Sequence, residues 1–196
     1  MAGACISAPA GGAWRRRARG LSVTDDLQAQ RFAVVDVETT GLYPSSDRVV
    51  EVAIVQVDGA GRVIDRYETL VNPARDVGPT SIHGITAELV ATAPAFSAIA
   101  TDIRRLLSGV IWAGHNIAFD RRFLEAEFSR AAQPLPEAPT LCTLAMFRRF
   151  GPTAESHRLD CACAACGIVL EQYHCALTDA EATAALLAHL LQQLRG

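Results

Sequence analysis

The spacing of apolar and polar positions marks most of the elements of this chain. Phe32 to Val37 is a continuous apolar run, the pattern of a strand buried on both faces. Residues 49–57 and 63–71 predict two more strands, and Asp58-Gly59-Ala60-Gly61 between them is a hairpin turn signal. A loop containing Pro73, Pro79 and Gly84 follows. Helical periodicity is expected over about 86–91 and 95–108, then a short apolar strand over 110–113. The pattern continues with a helix over about 117–131, ended by Pro134, and a short strand over 141–143. Helices are expected over about 144–150, 159–166 and 179–194. Three strands joined by tight turns, then alternating helix and strand, predict an α/β domain: a mixed five-stranded sheet with helices on both faces. Residues 1–30, rich in Ala, Gly and Arg, read as a disordered extension, and 31–196 as the folded domain.

Composition narrows the function classes. Half of the 196 residues are apolar and 20% are charged, which suits one globular domain with a filled core. No apolar run is long enough to predict a membrane span. The net charge of −3 does not advertise a nucleic-acid partner, but a local cluster of acids can hold cations that attract phosphate. All 18 basic residues are Arg, so a P-loop, which needs its Lys, is excluded. Six Cys without a signal-peptide pattern indicate free thiols in a reducing compartment, which we take to be the cytoplasm.

Three segments place acids where a core face is expected. In a strand, side chains at i and i+2 share a face, so Asp36 and Glu38 continue the face of Phe32 and Val34. In the helix after His115 and Asn116, with Asn116 as the expected N-cap, Asp120 shares a stripe with Ile117, Phe123, Leu124 and Phe128. Thr178 and Glu181 have capping-box spacing, which puts the start of the last helix near Asp179. Asp179 then lies in line with Ala182, Leu186, Leu190 and Leu194. A carboxylate on a core stripe is costly unless something compensates it. Four such acids together would raise each other's pKa, and two divalent cations would relieve that repulsion. The same ions would clamp a phosphodiester for in-line attack, and His174, just upstream of the last helix, could take a proton from the attacking water.

Asp36-Val-Glu38-Thr-Thr-Gly41, His115-Asn-Ile-Ala-Phe-Asp120 and His174-Cys-Ala-Leu-Thr-Asp179 resemble, in order, the three motifs of the DEDDh exonucleases. The loop Ile82-His83-Gly84-Ile85-Thr86 and the pair Cys142-Thr143 resemble features of the group related to the epsilon proofreading subunit of bacterial DNA polymerase III. The resemblance spans about 31–195. It implies an RNase H-like fold and a 3′→5′ exonuclease using two Mg²⁺ or Mn²⁺ ions. Asp36, Glu38 and Asp179 would be direct metal ligands, Asp120 would hold the second metal largely through water, and His174 would be the general base. Thr39, Gly41, Leu42, His83 and Asn116 would lie near the terminal nucleotide. The expected partner is a DNA 3′ end, single-stranded or frayed, with RNA ends as the alternative substrate. A polymerase or repair complex is a further partner class. Because the sequence stops at Gly196, right after the last helix, a free-standing exonuclease is expected rather than a dedicated polymerase subunit.

Other signals have blander readings. Cys161, Cys163 and Cys166 have a spacing that suggests zinc or iron–sulfur, but the residues between them are all Ala, which points to small side chains packed in a helix. Arg104-Arg105, Arg121-Arg122 and Arg148-Arg149 could contact phosphates, although solvated helix faces are the default for such pairs.

Overall fold

A computed structural model describes residues 29–170 and 175–194. The N-terminal extension and His174 lie outside the described residues. The apolar run becomes the central strand β1 (Arg31–Thr39). The other strands are β2 (Val49–Asp58), β3 (Val63–Leu70), β4 (Ile111–Gly114) and β5 (Thr140–Cys142), in the order β3-β2-β1-β4-β5. Neighbours β2 and β1 are antiparallel, as are β2 and β3, whereas β4 and β5 run parallel to β1. This is the mixed five-stranded sheet that the pattern predicts.

The alternation along β1 separates two cores. Phe32 and Val34 face one layer, with Ala53, Val55 and Val57 of β2. That layer is covered by α5 (Thr143–Phe150), α6 (Leu159–Ala165) and α7 (Ala176–Gln193). Ala33, Val35 and Val37 face the other layer, covered by α3 (Phe96–Leu107) and α4 (Ile117–Arg130). Two four-residue helices, α1 (Thr80–His83) and α2 (Ala87–Val90), sit over a small third cluster of Val50, Val77, Ile85 and Val90. The sequence pattern extends α2 further and misses α1, because a single turn has no periodicity to read.

Two local expectations need correction. Helix α7 begins at Ala176, three residues before the expected start, and Thr178 lies inside it without a capping bond. Its first N–H is instead received by Glu51 Oε2 at 3.0 Å, so a carboxylate 125 residues away takes the role assigned to the capping box. Asn116 does occupy the N-cap of α4, but in a left-handed conformation (φ 79°) and with no side-chain cap bond. The Cys161/Cys163/Cys166 cluster is a helical packing feature, as expected. Cys163 is buried against α7, all three thiols are free, and among the described residues none of them joins a group able to hold a metal. No described helix is long and apolar enough to cross a membrane.

Candidate active site

The site forms where β1 outruns its parallel neighbour. The β1–β4 ladder pairs Phe32, Ala33 and Val34 with Ile111, Trp112 and Ala113, so Asp36 and Glu38 lie beyond its last rung. Sites at the carboxyl ends of parallel strands are the rule in open α/β sheets. Both acids face the α7 layer, and Asp179, in the first turn of α7, meets them there. One oxygen from each of Asp36, Glu38 and Asp179 lies within 4.8 Å of the other two.

Asp120 reaches the site from the opposite layer. It is buried on the α4 stripe, and its Oδ1 accepts the Val37 N–H at 3.1 Å. Three of the four predicted acids thus form one donor group, while the fourth is tied to the backbone between Asp36 and Glu38. Asp120 still influences the group electrostatically. Burial raises the Asp36 pKa well above the carboxylate range, and the charges of Asp120, Asp179, Glu38 and Glu51 push it further. Burial, then Asp179 and Glu51, pushes Glu38 up to about 7. Burial likewise raises Asp120 to about 8, against the backbone N–H groups of Asp120 and Val37 that favour its charge.

Glu51 is a further acid at this site, which the sequence pattern does not single out. It lies directly across from Glu38 in the β1–β2 ladder. A register shift between Glu38 and Thr39 bulges the ladder just there. Burial raises the Glu51 pKa, the bond from Ala176 N–H lowers it, and Glu68 and Asp179 raise it again. The clue in the sequence is an acid between Val50 and Val52 in the otherwise apolar stretch from Val49 to Val55.

The end of β1 and the loop after it carry three of the residues expected near a nucleotide. The Thr39 hydroxyl donates to the Gly41 carbonyl at 2.7 Å. A Cβ on Gly41 would come to 2.5 Å from Asp47 Oδ2, so a side chain here would displace the Asp47 carboxylate. Asp47 ties the loop by accepting the Tyr43 N–H at 2.9 Å and the Thr40 hydroxyl at 3.3 Å. Leu42 and Tyr43 stand out at 71% and 70% exposure, an unusual pair of bare apolar side chains beside an acidic centre. His83 is buried, its Nδ1 accepts the Ile85 N–H at 3.0 Å, and burial lowers its pKa, so the ring is neutral near pH 7. Asn116 is exposed at the entry to α4.

His115 locks the far side of the site. Its Nε2 lies 2.8 Å from the His157 carbonyl and its Nδ1 lies 3.1 Å from the Thr143 hydroxyl. The carbonyl can only accept, so the proton of the neutral ring sits on Nε2. Burial and the nearby charge of Arg148 lower its pKa, although the His157 carbonyl and Asp160 act the other way.

The donor set suits a hard divalent cation: the grouped atoms are carboxylate oxygens, the ligands that Mg²⁺ and Mn²⁺ prefer. Their raised pKa values record a mutual repulsion that such a cation would relieve.

Comparison with known proteins agrees with this geometry. The profile of the RNase T family, described as Exonuclease, matches residues 33–187. The chain is 37% identical over 171 residues to the PolC-type DNA polymerase III of Oceanobacillus iheyensis, covering 86% of this chain and 12% of that protein. It is 35% identical to a DNA polymerase III subunit epsilon-like protein of Rhodobacter capsulatus, covering 86% and 25%, respectively. It is 32% identical to the 3′-5′ exonuclease DinG of Bacillus subtilis, covering 86% and 18%. The chain therefore spans a quarter or less of each of these relatives. Among solved structures, Exonuclease X in complex with 5′ overhanging duplex DNA superposes with a TM-score of 0.67 at 26% identity, covering 82% of this chain and 91% of that one. E. coli exonuclease I in complex with a dA16 oligonucleotide superposes with a TM-score of 0.75 at 23% identity, covering 85% and 42%. That likeness shows the RNase H-like fold. A profile match over most of the folded region, on a sheet that groups the acids of the matching motifs, shows that this chain belongs to the RNase T family of exonucleases.

Proposed function

We propose that the chain is a divalent-metal-dependent 3′→5′ exonuclease that hydrolyses phosphodiesters at DNA 3′ ends and releases nucleoside monophosphates. The observation that carries this reading is the convergence of Asp36, Glu38 and Asp179 oxygens within 4.8 Å of one another. The 3′→5′ direction is supported by the relative named as a 3′-5′ exonuclease. DNA as substrate is supported by the DNA complexes of Exonuclease X and exonuclease I. The polymerases among the relatives support a polymerase or repair complex as the partner class. The free thiols among the described residues are in keeping with a cytoplasmic setting.

In this reading Asp36, Glu38 and Asp179 hold Mg²⁺ or Mn²⁺, and Asp120 serves a second ion through water. The ions supply water activation and stabilisation of the leaving oxygen. His174 takes the proton of the attacking water. Leu42 and Tyr43 offer apolar surface to the terminal base, and Thr39, Gly41, His83 and Asn116 border the terminal nucleotide.

The test is digestion of 5′-labelled single-stranded, paired and mispaired DNA, with matched RNA, in Mg²⁺ or Mn²⁺ and in EDTA. Stepwise shortening of DNA from the 3′ end, abolished by EDTA, is expected. Shortening that survives EDTA, or that starts at the 5′ end, overturns the reading.

A further inference from the structure

The acids Asp36 and Glu38 sit on the central strand, and a cavity lies on each side of them. Among the described residues, one of the two cavities holds arginines and the other holds none. Over β2 and β3, a cavity of about 530 Å³ is lined by Glu51, Glu68, Leu70, His83, Ile85 and Leu89. Among the described residues, the charged side chains in its lining are the two glutamates. Beyond β4 and β5, a cavity of about 640 Å³ carries two arginines, Arg148 and Arg158, together with three acids, Glu155, Asp160 and Asp179.

The second cavity has a fixed wall. The His115–His157 bond ties the segment before α6 to the end of β4. The His157 ring also meets Phe147 of α5 edge-on, with centroids 6.0 Å apart. Arg148 lies on the exposed side of α5 and makes no ion pair with any described residue. Arg158 Nε is 3.5 Å from Asp160 Oδ1, but Asp160 also accepts the Cys161 N–H at 2.8 Å. Glu155 lines the cavity too, exposed at its rim.

A strand cut from its 3′ end is lopsided about the scissile phosphate. The terminal nucleoside carries a base, a sugar and a neutral hydroxyl, whereas the strand on the other side carries a negative charge at every linkage. Among the described residues, the cavity with Glu51 and Glu68 offers phosphate no cation, whereas the other offers it Arg148, which no described acid pairs, with Arg158 in the same lining. We propose that the Arg148/Arg158 cavity holds the first phosphates on the 5′ side of the scissile bond, leaving the glutamate-lined cavity to the end that has none. The proposal rests on the exonuclease reading and adds to it the path of the strand through the site.

The experiment is a double cycle read by binding. Fluorescence anisotropy in Ca²⁺ measures the affinity of a labelled single-stranded 12-mer for the unsubstituted protein, Arg148→Ala, Arg148→Gln and Arg158→Ala. Each is compared with 12-mers in which one of the first three linkages upstream of the 3′-terminal linkage is an uncharged methylphosphonate. Arg148 is exposed and makes no ion pair with a described residue, so its variants should fold, and circular dichroism checks this. At one or two of these linkages, neutralisation should weaken binding to the unsubstituted protein about tenfold and have little further effect on the matching Arg variant. The slope of log K against log salt should flatten by about 0.7 per lost contact. Strictly additive losses at all three linkages for every variant overturn the proposal. Because the readout is binding, this outcome is distinct from failure of the exonuclease reading, which is an absence of nucleotide release from unmodified DNA.

Discussion

Asp36 is where the fields of Asp120, Asp179, Glu38 and Glu51 overlap, and burial already disfavours its charge. Asp36→Asn removes an oxygen of the proposed cation site and part of this repulsion together. Turnover should fall on the order of 10³-fold or more, equivalent to about 4 kcal/mol of barrier. Metal-free thermal stability at pH 8 should stay level or rise. A variant that keeps most of its activity, or that loses its fold, shows Asp36 to be structural. His174→Ala should lower kcat by about 10²–10⁴-fold and move the pH profile, since hydroxide must then replace the base. An unchanged profile would show that His174 takes no proton. At this scale the sequence is informative because one rule, that i and i+2 share a strand face, places Asp36 and Glu38 beside the core. Glu51 escaped that treatment, because its role depends on a cross-strand partner and on a helix 125 residues away. The bond from the Val37 N–H to Asp120 is a detail that no stripe reveals.

Among the elements, helix α4 shows what periodicity reveals and what it hides. Its stripe of Ile117, Asp120, Phe123, Leu124 and Phe128 is buried or nearly so, as expected. The same stripe carries Glu127, seven residues after Asp120 and only 1% exposed, which the apolar pattern passes over. Glu127 receives Arg48 Nε at 2.7 Å and Nη2 at 3.0 Å, the Val49 N–H at 3.3 Å, and Arg130 Nη1 at 3.3 Å. This carboxylate pins the entry of β2 to α4 and so fixes the loop that carries Gly41 and Leu42. Glu127→Gln leaves the Arg48 guanidinium with a neutral acceptor in place of an ion pair. Arg48 is 26% exposed, so the cost should fall short of that of a fully buried pair, at about 2 kcal/mol. In a domain of this size that lowers the melting temperature by about 4–8 °C, measurable by scanning calorimetry. A shift under 1 °C would show that water replaces the pair. Helix α7 makes the complementary case. Its apolar stripe is legible, but its first turn is set by Glu51 across space, so the local capping signal misplaces it by three residues.

For the whole molecule, two apolar layers clamp a sheet whose central strand ends in carboxylates with raised pKa values. That arrangement links stability to pH and to metal. Glu38, at about 7, and Asp120, at about 8, bind protons more tightly in the folded chain than in the unfolded one. The folded state therefore carries more protons between the ordinary carboxylate range and about pH 8, so without metal these groups make stability fall as pH rises through that window. A divalent cation reverses their contribution: it binds the ionised carboxylates and must displace their protons, so its affinity grows with pH. Other titrating groups cancel in the difference between metal-loaded and metal-free protein. The gain in melting temperature on adding excess Mn²⁺ over EDTA should thus be small at pH 5.5 and widen steadily to pH 8.5. Glu38→Gln should shrink that widening, because it removes the group that titrates near 7. A gain constant across the range would mean that cation and proton do not compete for these oxygens, and that the cluster is held apart by something other than metal.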